Sequence, residues 1–119
     1  MRTFEFEDVR NHCSAKMAVS ESFPFDQHTM VWKVAGRIFA IADIDAFTGV
    51  SLKCDPERAV ALREEFVGVR PGWHLNKTHW NSVDADQDVP WERVKRLIDH
   101  SYDLVIAGLP KKSRIPFGL

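Results

Sequence analysis

Fourteen residues, Arg70 to Val83, hold most of the side chains here that could do chemistry on a polyanion. They include two tryptophans (Trp73, Trp80), two histidines (His74, His79), two asparagines (Asn76, Asn81), one arginine and one lysine, Lys77. No acidic residue lies between Glu65 and Asp84. Cations neutralise phosphates, flat rings stack on unpaired bases, and amides donate hydrogen bonds to either. The candidate nucleic-acid contacts are therefore Arg70, Trp73, His74, Asn76, Lys77, His79 and Trp80. Lys111, Lys112 and Arg114 near the C-terminus add charge, as do Lys33 and Arg37 on either side of Ala35-Gly36. Each stacked base is worth about 1–3 kcal/mol. A structural reading competes: large rings are mostly buried, and asparagines often brace tight loops through side-chain to backbone bonds.

Charge sets the scale of any such binding. Residues 66–83 carry +2 and residues 108–119 carry +3 in a chain of net charge −1, so the remainder carries −6. A basic patch on an acidic body implies weak, salt-sensitive contact with DNA, not a protein that coats it. Other chemistries find less support. His74 and His79 are five residues apart, but no regular Cys and His spacing accompanies them, so no metal or other cofactor is expected. Ser51, Ser82 and Ser101 lack a nucleophile elbow, and no phosphate-binding glycine loop is present, which points to a non-enzymatic protein. Cys13 and Cys54 read as reduced, buried thiols. The acidic N-terminus and the lack of any long apolar run predict a cytoplasmic protein without a membrane span.

The elements that must position these residues follow from periodicity. At 119 residues, 45% hydrophobic, the chain suits one domain with its own core. Helical spacing of Phe6, Val9, Cys13 and Met17 predicts a helix over 3–17 with Thr3 as its cap; Pro24 then breaks helix near Phe23 and Phe25. From Thr29 the period becomes two. Strands are expected over 29–34 and 37–42, joined at Ala35-Gly36 with Gly36 at positive φ, and over 49–54. Asp55 caps and Pro56 opens a second helix. Strands at 67–70 and 80–84 flank a tight loop or helical turn at 76–79. A last helix starts at Pro90 and carries Val94, Leu97, Ile98, Tyr102 and Val105 inward. The order is α-β-β-β-α-β-β-α. It implies an α+β fold in which a five-stranded antiparallel sheet has helices on one face. Residues 1–119 form the single domain, with 109–119 a partly flexible basic tail, and the chain is expected to be a monomer or weak dimer.

With these stretches in view, the chain resembles the MmcQ/YjbR family. Phe23-Pro24-Phe25-Asp26, Lys33 to Ala40, Leu52 to Glu57, Pro71 to Asn81, Asp99 to Tyr102 and Gly108 to Lys112 carry the resemblance. It implies a YjbR-like or CyaY-like α+β domain and the family's label as a DNA-binding protein with a double-wing motif. The hairpin bearing Lys33 and Arg37 would serve as one wing. The alternative is a protein-interaction or small-ligand module whose exposed aromatic sheet face uses Phe23, Phe25, Trp32 and Trp73.

Overall fold

The computed structural model describes residues 1–72 and 75–119. Its elements are α1 (Phe6–Ser14), β1 (Val19–Ser22), β2 (Thr29–Val34), β3 (Arg37–Asp43), β4 (Gly49–Lys53) and α2 (Pro56–Glu65). β5 (Val69–Pro71), β6 (Trp80–Asp84), α3 (Trp91–Ala107), α4 (Lys111–Arg114) and a 3-10 turn over Ile115–Phe117 complete them. The strands form one antiparallel sheet in the order β1-β2-β3-β4-β6-β5.

The α+β class is as expected, but the sheet has six strands, not five, and the element order gains a strand after the first helix. Sequence reading misses β1 because Val19-Ser20-Glu21-Ser22 has no apolar alternation. This edge strand is held by main-chain pairing to β2, Val19 opposite Val34 and Ser22 opposite Val31. A short polar edge needs no buried side of its own. The first helix is also shorter than 3–17. Thr3 does not cap it: the Thr3 hydroxyl donates to the Val89 carbonyl at 2.6 Å, and its N–H to that of Ala85 at 2.6 Å. Glu5 caps instead, in a reciprocal box with Asp8. Met17 falls beyond the helix and is exposed.

Elsewhere local chemistry sets the boundaries. The Asp55 side chain accepts from the Arg58 N–H, with Pro56 in the first turn of α2. Between β2 and β3, Ala35 at φ 49° and Gly36 at φ 84° make the tight turn expected of a two-residue hairpin. Gly36→Val would put a β-branched residue at positive φ, a strain of about 1–3 kcal/mol. A lower urea midpoint for Gly36→Val than for wild type is the expected result; equal midpoints would refute the turn's role. After α3, Leu109 is buried and Leu119 packs against the core, so residues 111–117 fold back as a short helix and 3-10 turn.

Alternation divides the sheet. Val50 and Leu52 of β4 and Asn81 and Val83 of β6 are buried against the helices, where Ile98 and Val105 of α3 and Val9 of α1 meet them in one core. Gly49, Ser51 and Lys53 face the other way, paired with Asp84, Ser82 and Trp80. Among the described residues this second face carries no helix. The thiols of Cys13 and Cys54 lie in the core, and burial pushes Cys13 up to about 12, so it stays protonated at neutral pH. No described helix is long and apolar enough to cross a membrane.

Candidate functional site

The helix-free face is polarised along its strands. One end holds the β2–β3 turn, the end of β4 and the start of β6. The other holds the start of β2, the end of β3, the start of β4 and the end of β6.

At the first end stand Lys33, Lys53 and Trp80. Lys33 lies opposite Ile38, and Lys53 lies opposite Trp80, which is half-buried. The loop before β6 adds exposed Lys77 and His79. Its backbone is set by a helical turn: the N–H of His79 and of Trp80 both reach the Asn76 carbonyl, at 3.2 and 2.9 Å. The Asn76 side-chain oxygen is engaged inside that turn, accepting from the Thr78 N–H at 2.9 Å. Asn81 is a buried brace: its amide donates to the Ala59 carbonyl at 3.3 Å and accepts from Arg63 at 2.8 Å, tying α2 to β6. The same arginine donates toward the Lys77 carbonyl at 3.4 Å.

Other predicted contacts scatter. Arg37 pairs with Val34, a core residue, so it projects past the rim on the helix side, whereas Lys33 is on the open face. The hairpin therefore presents one cation to each side. Arg70 is on the open face but already engaged: Nε and Nη2 each lie 2.8 Å from an Asp84 carboxylate oxygen, a two-point pair. Lys111 and Lys112 are exposed on α4, and Arg114 is half-buried. The segment after them passes Met17, whose neighbour Ala18 accepts from the Ala35 N–H, so the tail sits at the same end as the β2–β3 turn. Trp73 and His74 lie outside the described residues. Trp32, expected as a surface ring, is fully buried, packed on Phe6 at 5.9 Å between ring centres. Phe23 and Phe25 are exposed, as that alternative requires.

Two groups were missed from sequence. Lys53 gave a signal that could have been used: it alternates with Leu52 at the end of β4 and so must face away from the core. The second group is visible only in three dimensions. Asp26, His28, Asp43, Arg70 and Asp84 line a cleft of about 690 Å³ at the other end of the open face, with Ser51, Ser82 and Gly49 on its floor and Phe25 and Leu75 on its walls. Strands distant from one another in the chain supply these groups, so no local motif announces them.

The cleft's charges are paired. His28 Nδ1 lies 2.7 Å from Asp43 Oδ2, and Nε2 lies 3.4 Å from Asp26. Hydrogen bonding to Asp43 lifts His28 above its ordinary value, with Asp26, Asp43 and Asp45 adding through charge. Burial pushes Asp43 up, but donors from Ala46, His28 and Asp45 outweigh it and hold the carboxyl low. Because the folded-state value of His28 is raised, its contribution to stability is complete below about pH 6.5, the unfolded value, and fades as pH rises through the folded one. The unfolding midpoint should thus fall over that interval in wild type, and the fall should shrink in His28→Gln. An unchanged profile in His28→Gln would mean the pair adds nothing. The group is exposed, so the effect is small.

The family model "YjbR" matches residues 14–104. The uncharacterised protein YjbR of Escherichia coli K12 is 34% identical over 108 residues, covering 90% of this chain and 92% of that protein. YbdF of Escherichia coli O157:H7 is 30% identical over 93 residues, with 77% and 76% covered. Among solved structures, Deinococcus radiodurans DR2400 superposes with a TM-score of 0.88 at 40% identity, covering 95% of this chain and 87% of that one. A Pseudomonas syringae protein shares the fold alone, with a TM-score of 0.72 at 20% identity over 85% and 98% of the two chains.

Proposed function

The chain belongs to the YjbR family, and from that premise we propose that it is a non-enzymatic, cytoplasmic DNA-binding protein that contacts its partner through the cationic end of its open sheet face. What carries this reading is the gathering of Lys33, Lys53, Lys77 and a partly accessible Trp80 at that end. Lys111 and Lys112 extend the same end, and the carboxylates Asp26, Asp43 and Asp84 are held away at the other. The lysines neutralise phosphates, while the Trp80 ring and the exposed His79 offer surfaces to bases.

The contact set narrows accordingly. Arg70 spends its charge on Asp84, Asn76 spends its carbonyl on its own loop, and Arg37 faces the opposite side. Few cations remain, so binding is weak and readily abolished by salt. The test is the double variant Lys77→Ala with Trp80→Ala, titrated against labelled single-stranded and duplex DNA at low salt. It should bind at least tenfold more weakly than wild type, the scale of one stacked base at about 1–3 kcal/mol, while keeping wild-type far-UV circular dichroism. Absence of binding by the wild-type protein to either DNA would overturn the reading.

A further inference from the structure

Beyond α3 the chain folds back between two leucine anchors. Leu109 is buried and Leu119 packs against the core, with α4 and the 3-10 turn between them. Hydrogen bonds brace this span: the Gly118 N–H donates to the Ile115 carbonyl and the Leu119 N–H to that of Arg114, both at 3.1 Å. Gly118 reverses the chain at φ 73°. The apolar side chains between the anchors nevertheless face solvent. Ile115 is 65% exposed and Phe117 is 46% exposed. Met17, 60% exposed, stands beside them: its Sδ is 3.7 Å from the place a Cβ on Gly118 would take. One exposed apolar residue is ordinary, but three large ones gathered on a braced segment form a patch.

The charge around this patch has one sign. Residues 104–119 hold Lys111, Lys112 and Arg114 and no acidic residue. Lys111 precedes Ile115 by four residues of helical backbone, so the two lie on one side of α4. Lys16, next to Met17, is taken by Asp99, and the exposed Lys111 and Lys112 supply the outward charge. The Nε–H of Arg114 is out of solvent with no acceptor among the described residues. An unmet buried donor is costly, so this guanidinium gains from an outside acceptor that draws it to the surface.

Cations beside protruding apolar side chains select the partner. Phosphates alone would meet the lysines and leave Ile115, Phe117 and Met17 idle. A docked peptide calls for a groove, whereas Ile115 and Met17 keep more than half of their surface free and so stand proud. A bilayer surface accepts both kinds of group: anionic headgroups meet the cations, and the acyl boundary takes the apolar side chains. We propose that this patch docks the protein on an anionic lipid bilayer, with Ile115, Phe117 and Met17 entering the headgroup–acyl boundary and Lys111, Lys112 and Arg114 meeting lipid phosphates. So short a segment buries little area, so the attachment is reversible and needs both contributions. It requires no spanning helix. The proposal goes beyond the DNA reading, with which it shares only Lys111 and Lys112.

Co-sedimentation of the full chain with lipid vesicles, in the absence of DNA, tests it. At low salt the protein should pellet with vesicles of phosphatidylcholine and phosphatidylglycerol, stay in the supernatant with phosphatidylcholine alone, and leave the pellet as salt rises. Ile115→Ser with Phe117→Ser should weaken partition about tenfold or more, and Lys111→Ala with Lys112→Ala about tenfold. The serine variant should leave DNA affinity and circular dichroism at their wild-type values. If that pair misfolds, Ile115→Ser alone, at the most exposed of these sites, should still weaken partition. No pelleting with the anionic vesicles, equal pelleting with the neutral ones, or unchanged partition after the serine substitutions would each overturn the proposal. Binding to soluble polyglutamate at least as tight as to the vesicles would assign the patch to an acidic peptide and overturn it as well.

Discussion

Trp32→Ala is expected to cost about 3–5 kcal/mol, the range for truncating a large buried aromatic. Trp32 is wholly buried at the centre of β2, with its ring against Phe6 of α1 and its indole N–H donating to Glu21 of β1 at 3.1 Å. It therefore joins three elements. Glu21 also takes two N–H groups of Arg10, at 2.9 and 3.2 Å, and Ser14 at 3.1 Å, so removing the indole strips one donor from the carboxylate and leaves three. The larger loss is volume, because α1 cannot sink into the space while Phe4 and Thr3 anchor its start. A domain of this size has about 5–15 kcal/mol in all, so the variant should lose a large share of it. Trp32→Phe keeps most of the packing and gives up the hydrogen bond, a cost nearer to about 1–2 kcal/mol. Urea unfolding separates the two. Trp32→Ala within about 1 kcal/mol of wild type would contradict the placement of this ring.

Gly49→Ala should be nearly as damaging, by a different mechanism. A Cβ at this position would sit 2.0 Å from the Val83 carbonyl oxygen, 2.9 Å from its carbon and 3.0 Å from Asp84 Cα. All three atoms are backbone of the neighbouring strand, so no side chain can swing aside. The strands must part where Gly49 pairs with Asp84, at the head of a five-pair ladder. Overpacking costs typically about 1–3 kcal/mol and occasionally more, and a clash against fixed backbone belongs at the top of that range. Thermal unfolding should show a clear drop for Gly49→Ala and a small one for Ser51→Ala, which gives up a single 3.2 Å contact with Ser82. Similar melting of the two variants would show that the strands separate easily.

The contrast between these residues explains what could be read from sequence. The Ala35-Gly36 turn, the Asp55-Pro56 helix start and the Trp80–Asp84 strand were legible because their signals are local: a turn dipeptide, a capping pair, an alternation of two. Strand β1 was not, since pairing with β2 is the whole of its stability and its sequence carries no apolar period. Tryptophan type alone could not say that Trp32 is sealed in while Trp80 is only half-buried. Net charge could not reveal that Arg70 is cancelled by Asp84, fourteen residues away and on the next strand. The basic and acidic halves of the open face arise from pairing register, which brings Lys33 and Lys53 to one end and Asp43 and Asp84 to the other. That register is a tertiary fact.

The most direct test of the DNA reading is the salt dependence of affinity, taken by anisotropy on one labelled DNA for wild type and for the triple variant Lys33→Ala, Lys53→Ala, Lys77→Ala. Removing one lysine–phosphate ion pair lowers the steepness of log affinity against log salt by about 0.9 on duplex and about 0.7 on single strands. A slope shallower by about 2–3 in the variant, with its melting temperature unchanged, is the predicted result. Identical slopes for the two proteins would show that these lysines do not meet phosphate.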